Sequence, residues 1–372
     1  MTAVRERIGP ITIGAIALVV IGAWFLRPPM SWTFALLLIV GVAASTIANG
    51  TYVLRRLAGL VPVLLIIAFF TFIIINALPG DLAVNILGPG ATPQAVEEVR
   101  EELNLNDPVL SRFGDWLGDT VTGDLGRSRI LQEDVADGIS RTFPISLQLM
   151  LYAQIISIGL AIPLGVWAAY RAGSRTDRVI NTAAFGFLAL PNFILAVLLV
   201  LFFALGGLSI FGTQVGVEWL PAGRYVAFGD DIVLHFKHML LPALSLALGQ
   251  VAVYMRLLRT DMISTLQQNF IDLARAKGIS DSRILWRHAL RPSSFTLLTV
   301  IGLNIGTLIG GALIIEFIFT LPGIGTYVFG AIIARDFIAI QGVVLVISAG
   351  YVLTLLVVDL LYTALDPRLR HA

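Results

Sequence analysis

Few side chains in this sequence are placed to do chemistry. His235 and His238 stand three residues apart, close enough to share one helical face. Two imidazoles without a third ligand fall short of a zinc site. The only lysines are Lys237 and Lys277, and neither follows a glycine. A phosphate-cradling G-x-x-x-x-G-K-[ST] loop is therefore absent, as are H-E-x-x-H and the G-x-S-x-G elbow. There are no cysteines, which removes disulfides, thiolate metal ligands and cysteine nucleophiles. The sequence offers no catalytic residue, no metal set and no cofactor site of its own, and reads as a non-enzyme.

The elements that must position these residues are apolar. Of 372 residues, 57% are hydrophobic and 13% charged, with a mean hydropathy of +0.88. Soluble domains carry about 25% charged residues. Charge-free runs of about 20 residues recur, the length that crosses a hydrocarbon core of about 30 Å. Eight spans are expected, at about 11–26, 32–48, 57–78, 145–170, 180–206, 239–259, 295–319 and 340–364. Runs this long in lipid must bond their backbone internally, so they are helices. The first two, joined at Arg27-Pro28-Pro29-Met30, read as an uncleaved helical hairpin rather than a signal peptide. A net charge of +1 gives no general attraction to nucleic acid.

Sixteen of the 25 Lys and Arg residues fall on one face of this arrangement, seven of them between Arg256 and Arg291. The positive-inside rule then puts that loop and both termini in the cytoplasm. On the opposite side, 79–143 carries twelve acidic residues against five arginines. Thr92-Pro93 and Asp107-Pro108 each provide an N-cap and a first helical residue. Leu103, Leu105, Leu110, Phe113, Trp116 and Leu117 supply an apolar face. A helical cap and a lid that docks an external partner both fit this pattern. Within the spans the only carboxylates are Glu316 and Asp359, each within about two turns of a span end, where a structural role is favoured. A proton-coupled carrier would want a carboxylate or histidine near mid-membrane.

The Arg256–Arg291 loop holds seven basic and three acidic residues, too regular for a plain connection. Thr260 to Ala276 has helical composition without proline or glycine, and Gly278 ends it as a C′ glycine. Ser280-Asp281 caps a second expected helix, Ser282–Leu290, stopping before Pro292. Small residues Ala274 and Ala276 beside the turn permit close approach of a partner.

These residues carry a resemblance. Asp272-Leu273-Ala274-Arg275-Ala276-Lys277-Gly278 resembles the EAA-type loop of ABC importer permeases. With His288-Ala289-Leu290-Arg291 it is similar to the dipeptide/oligopeptide/nickel branch, the DppB/OppB-like subunits. Further matches follow in order: Leu78-Pro79-Gly80-Asp81, Gly123-Asp124-Leu125-Gly126-Arg127-Ser128, Ile162-Pro163-Leu164-Gly165 and Leu241-Pro242-Ala243-Leu244. Then come Glu316-Phe317-Ile318-Phe319 with Pro322-Gly323, Arg335-Asp336-Phe337 and Asp366-Pro367-Arg368. The resemblance runs from about Tyr52 to Arg370. The family's loop usually starts with glutamate or a tyrosine-valine-arginine run; Ile271-Asp272-Leu273 stands in its place here, and Asp for Glu keeps the charge.

The resemblance implies an all-α polytopic membrane protein, a six-helix permease core at 51–372 plus an extra two-helix hairpin at 1–50. Within the core, 79–143 would be an external helical segment and 256–294 the cytoplasmic coupling loop. Asp272, Ala274, Arg275, Ala276, Lys277 and Gly278 would engage one of two cytoplasmic ATPase subunits, which hold ATP and Mg. A homologous second permease would complete the pore, and an external binding protein would deliver substrate to this inner-membrane protein of a prokaryote. Short peptides are the expected cargo; nickel or another small solute is the alternative, and a stand-alone secondary carrier is the competing class. Pro163, Gly165, Pro191, Gly306, Gly310 and Gly311 permit bends and close helix packing.

Overall fold

A computed structural model describes residues 50–77, 82–87, 90–102, 104–128, 130–206, 208–210 and 213–365. The expected hairpin of residues 1–50, the Leu78–Asp81 motif and the Asp366–Arg368 motif lie outside the described residues, Gly50 excepted. The helices are α1 Gly50–Ala77, α2 Leu82–Leu87, α3 Pro93–Glu102, α4 Val109–Thr122, α5 Val135–Tyr170, α6 Arg175–Ala189 and α7 Asn192–Phe203. They continue with α8 Ile232–Leu266, α9 Asn269–Ala276, α10 Asp281–Ile318, α11 Ile324–Ala334 and α12 Phe337–Leu365. One antiparallel ribbon, β1 Leu208–Ile210 with β2 Thr213–Val215, interrupts them, Leu208 facing Val215.

The six expected core spans all appear as helix. Among the described residues α5, α8 and α10 are each long and apolar enough to cross a membrane, and α6 with α7 forms a fourth, bent crossing. The helices α1 and α12 have 28 and 29 residues, about 42 Å each at 1.5 Å per residue. The expected span 180–206 is broken, at the Pro191 expected to permit a bend: α6 and α7 meet at 107° around Leu190-Pro191. Proline lacks the N–H a continuing helix needs, so Pro191 instead becomes the N-cap of α7.

The described residues form two compact parts. In the part built from residues up to Pro144 and from Tyr327 onward, α12 packs on α1 and α4 docks on α1. Phe113 meets Phe69 and Phe72 edge-on at 5.2 and 5.6 Å, Trp116 lies 5.7 Å from Phe72, and the Arg112 guanidinium sits over the Phe72 ring. Leu110, expected on this face, is instead exposed. Thr92 caps α3 by accepting from the Ala95 N–H at 3.3 Å. Asp107 does not cap α4; Pro108 holds that position without a side-chain bond. Two motifs 208 residues apart meet here: the Ser128 hydroxyl bonds the buried Asp336 carboxylate, whose other oxygen accepts from the Ala339 N–H at 3.2 Å.

In the part from Ile145 to Thr326, α8 is the hub, touching α6, α7 and α10. A Cβ on Gly165 would come within 3.1 Å of the Met255 carbonyl, so α5 and α8 cross there with bare backbone. His235 and His238 lie inside α8, which begins at Ile232, ahead of the expected span 239–259, and both are buried. The His235 Nδ1–H donates to the Val226 carbonyl at 2.7 Å while Nε2 meets the Tyr152 hydroxyl at 3.0 Å. The His238 Nδ1–H donates to the Gly223 carbonyl at 2.7 Å. They tie the segment before α8 to that helix, and no group of three metal-ligating residues exists among the described residues.

Glu316 ends α10 fully buried, and its Oε2 accepts from the Gly325 N–H at 2.7 Å. The turn after α10 wraps this carboxylate, and two glycines make room for it. A Cβ on Gly323 would meet Glu316 Oε2 at 2.3 Å; one on Gly325 would meet the Leu313 Cα at 2.5 Å. The neighbour at Gly325 is backbone and has no rotamer to give. Gly325→Ala should therefore destabilise the chain by about 1–3 kcal/mol, the usual cost of forced overpacking. Thermal unfolding of the purified chain checks this, with Gly330→Ala, which meets open space, as the neutral control.

Candidate functional site

The segment between α8 and α10 is built in three pieces. The expected single helix Thr260–Ala276 is divided: α8 stops at Leu266 and α9 begins at Asn269, with Gln267 and Gln268 turning between them. The far end of α9 follows the expectation at Gly278. Gly278 has φ of 73°, the Gly278 N–H donates to the Arg275 carbonyl at 2.9 Å, and the Ile279 N–H reaches back to Ala274 at 3.2 Å. These two bonds are the Schellman pattern, and Ile279 adds its apolar contact to the cluster that holds Ala274.

Helix α10 then starts at Asp281 after Ser280, whose side chain makes no capping bond. The expected stop before Pro292 does not occur. A π-helical turn at Ile284–Ala289 precedes the proline, and α10 runs on to Ile318. The wide turn shifts the hydrogen-bond ladder, which lets the helix accept a residue with no N–H.

The short helix α9 is two-faced. Ile271 is fully buried and Ala274 is 7% exposed; they pack with Met262, Ile284, Leu285 and Ala289. Asp272, Arg275, Ala276, Lys277 and Gly278 face outward. Asp272 and Arg275 pair at 3.4 Å, but both are more than half exposed, so the pair adds little stability. The inward place of Ala274 gives its small size a local purpose, the close seating of α9 on its own bundle. Phe270, Leu273 and Trp286 stand on the outer side at 46%, 57% and 49% exposure. Only Leu273 of these falls in the Asp272–Gly278 motif, but Phe270 and Leu273 at a spacing of three mark a second apolar edge on α9.

One ion pair fixes the base of this structure. Arg259 Nε donates to Asp177 Oδ1 at 2.6 Å and its terminal nitrogen to Oδ2 at 2.7 Å, a fork-to-fork pair. Asp177 also accepts from the Gly173 N–H at 2.9 Å and the Asn181 amide at 2.7 Å. A second tie runs from the Tyr170 hydroxyl to Asp281 at 3.1 Å. A third joins the Ser293 and Thr265 hydroxyls at 2.8 Å. The outer face holds no paired nucleophile and base. What it offers is a rigid, partly apolar, charged surface for a macromolecule.

Two family comparisons bear on which one. Residues 161–371 match the binding-protein-dependent transport system inner membrane component, and residues 50–150 match the N-terminal component of such systems. The chain belongs to this family. A putative peptide transport system permease of Brucella abortus is 38% identical over 319 residues, covering 86% of this chain and 98% of the relative. A dipeptide transport system permease of Alkalihalophilus pseudofirmus is 34% identical over 330 residues, 86% and 99% covered. A glutathione transport system permease of Escherichia coli is 33% identical over 320 residues, again 86% and 99%. The ABC importer permease is thus a multi-pass inner-membrane subunit of the dipeptide/oligopeptide branch, and ATP is hydrolysed on separate subunits. Such permeases work with an ATPase and a substrate-binding protein. Both family matches begin at or after residue 50, so residues 1–49 lie outside them.

Removing Arg259 alone leaves the Asp177 carboxylate, with 6% of its side chain exposed, without its cation. Arg259→Met should cost about 3 kcal/mol. The double variant Asp177→Asn with Arg259→Met should recover part of that loss, because the unpaired charge is gone. Thermal melts of the two purified permeases decide it; equal melts would show that the pair carries no coupling.

Proposed function

We propose that this permease forms one half of the pore of an importer for short peptides, driven by two cytoplasmic ATPase subunits that carry ATP and Mg. A homologous permease supplies the other half, and an external binding protein delivers the peptide. Both termini and the 256–294 segment face the cytoplasm, where α9 is the coupling helix. The observation that carries this reading is the construction of α9: Ile271 and Ala274 clamp it inward, while Phe270, Asp272, Leu273, Arg275 and Lys277 are left outward. A helix held on one face and bare on the other passes on displacement without absorbing it. Ala276 and Gly278 keep the end of α9 slim beside the ATPase, and Gly278 sets the angle of exit.

The peptide assignment is supported by relatives whose names specify peptide, dipeptide or glutathione transport. The acidic segment 79–143 faces the binding protein.

The reading is tested on the assembled transporter in vesicles. Leu273→Asp should abolish uptake and loosen co-purification of the ATPases while the chain stays in the membrane. Ala274→Trp should stop uptake by unseating α9. At Gly278, asparagine tolerates the left-handed backbone and valine does not. Gly278→Asn should therefore keep most activity and Gly278→Val lose it. Uptake of labelled dipeptides, longer peptides and nickel identifies the cargo; nickel uptake without peptide uptake would overturn the peptide reading. ATP turnover by the purified chain alone would overturn the permease assignment of energy input.

A further inference from the structure

The helices of the Ile145–Thr326 part share a feature outside the coupling surface. Each of the four crossings, α5, the bent α6–α7 pair, α8 and α10, carries an uncharged polar side chain near its middle. Gln154 stands 19 residues into the 36 of α5, and Gln250 stands 18 into the 35 of α8. Asn304 is the central residue of the α10 stretch Leu290–Ile318, and Asn192 opens α7 at the break in the bent crossing. At 1.5 Å per residue Gln250 lies about 9 Å along α8 from Arg256, well inside the apolar zone.

These groups converge. The Gln250 amide donates to the Thr307 hydroxyl at 3.2 Å, and that hydroxyl donates within α10 to the main-chain carbonyl of Asn304 at 2.7 Å. Gln154 bonds the Tyr254 hydroxyl at 3.2 Å, with the Asn304 carboxamide beside it. The Asn192 amide enters between α8 and α10 at two bare positions: a Cβ on Gly249 would lie 3.3 Å from its oxygen, and one on Gly311 3.2 Å from its nitrogen.

Polar side chains between membrane helices can serve simply as glue, and then they satisfy one another. This group does not close. Gln250 Oε1 is buried with no partner among the described residues. A buried orphan acceptor costs about 1–3 kcal/mol and calls for a reason. Thr307, its neighbour, is exposed on α10. On that same side Leu303, Ile314 and Phe317 are each more than half exposed, so the hydroxyl and the amide form a polar island in an apolar stripe.

We propose that Gln250, Thr307 and Asn304, wedged by Asn192, are the mid-membrane contact for the solute, binding the main-chain amides of a peptide through neutral hydrogen bonds. This rests on the peptide-importer reading and extends it to named residues. Carboxamides and hydroxyls both donate and accept, so they match a peptide bond whatever the side chains. They carry no charge to trap a solute that must leave, which weak and multiple contacts allow.

The absence of cysteine makes the test clean. Gln250→Cys, Thr307→Cys and the core control Leu246→Cys are each built into the assembled transporter in proteoliposomes. A charged, water-soluble methanethiosulfonate is applied during ATP turnover, with and without trialanine. Gln250→Cys and Thr307→Cys should label well above the control, and trialanine should slow that labelling. Gln250→Ala should raise the KM for trialanine uptake about fivefold, the worth of one net hydrogen bond, with unchanged abundance of the chain. Wild-type uptake of trialanine with both cysteines unlabelled would overturn the contact alone. So would a Gln250→Ala variant that loses thermal stability and keeps its KM, the signature of glue. Wild-type vesicles that take up no trialanine would sink the peptide reading and this assignment together.

Discussion

The Asp177–Arg259 pair is the fixed point of the end of the bundle that carries α9. An arginine seven residues before the end of a 35-residue apolar helix must find an anion or pull the helix toward water. Asp177 meets it with both oxygens and still accepts from Gly173 and Asn181, so its acceptor sites are filled. Those extra bonds matter as much as the charge. Gly173, at φ of 80°, turns the chain between α5 and α6, and its N–H is held by the same carboxylate. One ion pair thereby sets the end of α8, the start of α6 and the turn joining α5 to α6. The backbone that leaves α8 toward α9 starts from a defined place.

From that base α9 is held by shape rather than by charge. Its inner residues, Ile271 and Ala274, meet side chains of α8 and of the first turns of α10 in one apolar cluster. The connections at either end are two residues long on the α8 side and four on the α10 side. A packed interior has little free volume in which to deform. Displacement of α9 must then be taken up by α8 and α10 together, and these two helices have the largest mutual contact in the part from Ile145 to Thr326. The π-turn before Pro292 belongs to this arrangement, since it lets α10 continue from beside α9 to Ile318 without a break.

Much of this was legible in the sequence, and the failures have physical causes. The six core spans could be read because lipid demands long apolar runs. Gly278 could be read because few residues other than glycine take a positive φ. Thr92 could be read because a hydroxyl before proline is a common cap. The break at Gln267-Gln268 could not, since glutamine is a good helix former and only the docking of Ile271 and Ala274 bends the chain there. Pro292 reads as a stop until a wide turn ahead of it removes the clash. The bend at Pro191 was half visible: proline forecasts a break but not a 107° one. Ala274 had the right type for a crowded contact, but sequence does not say against which surface it is crowded. Asp177 and Arg259 are 82 residues apart and no local pattern joins them.

The placement of charge separates two tasks along the described spans. Ionised groups cluster at helix ends, where water or a paired ion meets them: Asp177 with Arg259, and Arg256 over the Phe185 ring. Glu316, near the opposite end of α10, is enclosed by a turn whose glycines exist to fit it. The middle of the spans holds amides and hydroxyls instead. A carboxylate there would let proton or cation binding drive the cycle, and it would hold an oppositely charged solute tightly. Neutral groups do neither. On the proposed reading they leave the work of the cycle to whatever moves α9, and they leave the solute free to pass on. If energy enters through α9, as proposed, the subunit has no need of a charge in its centre.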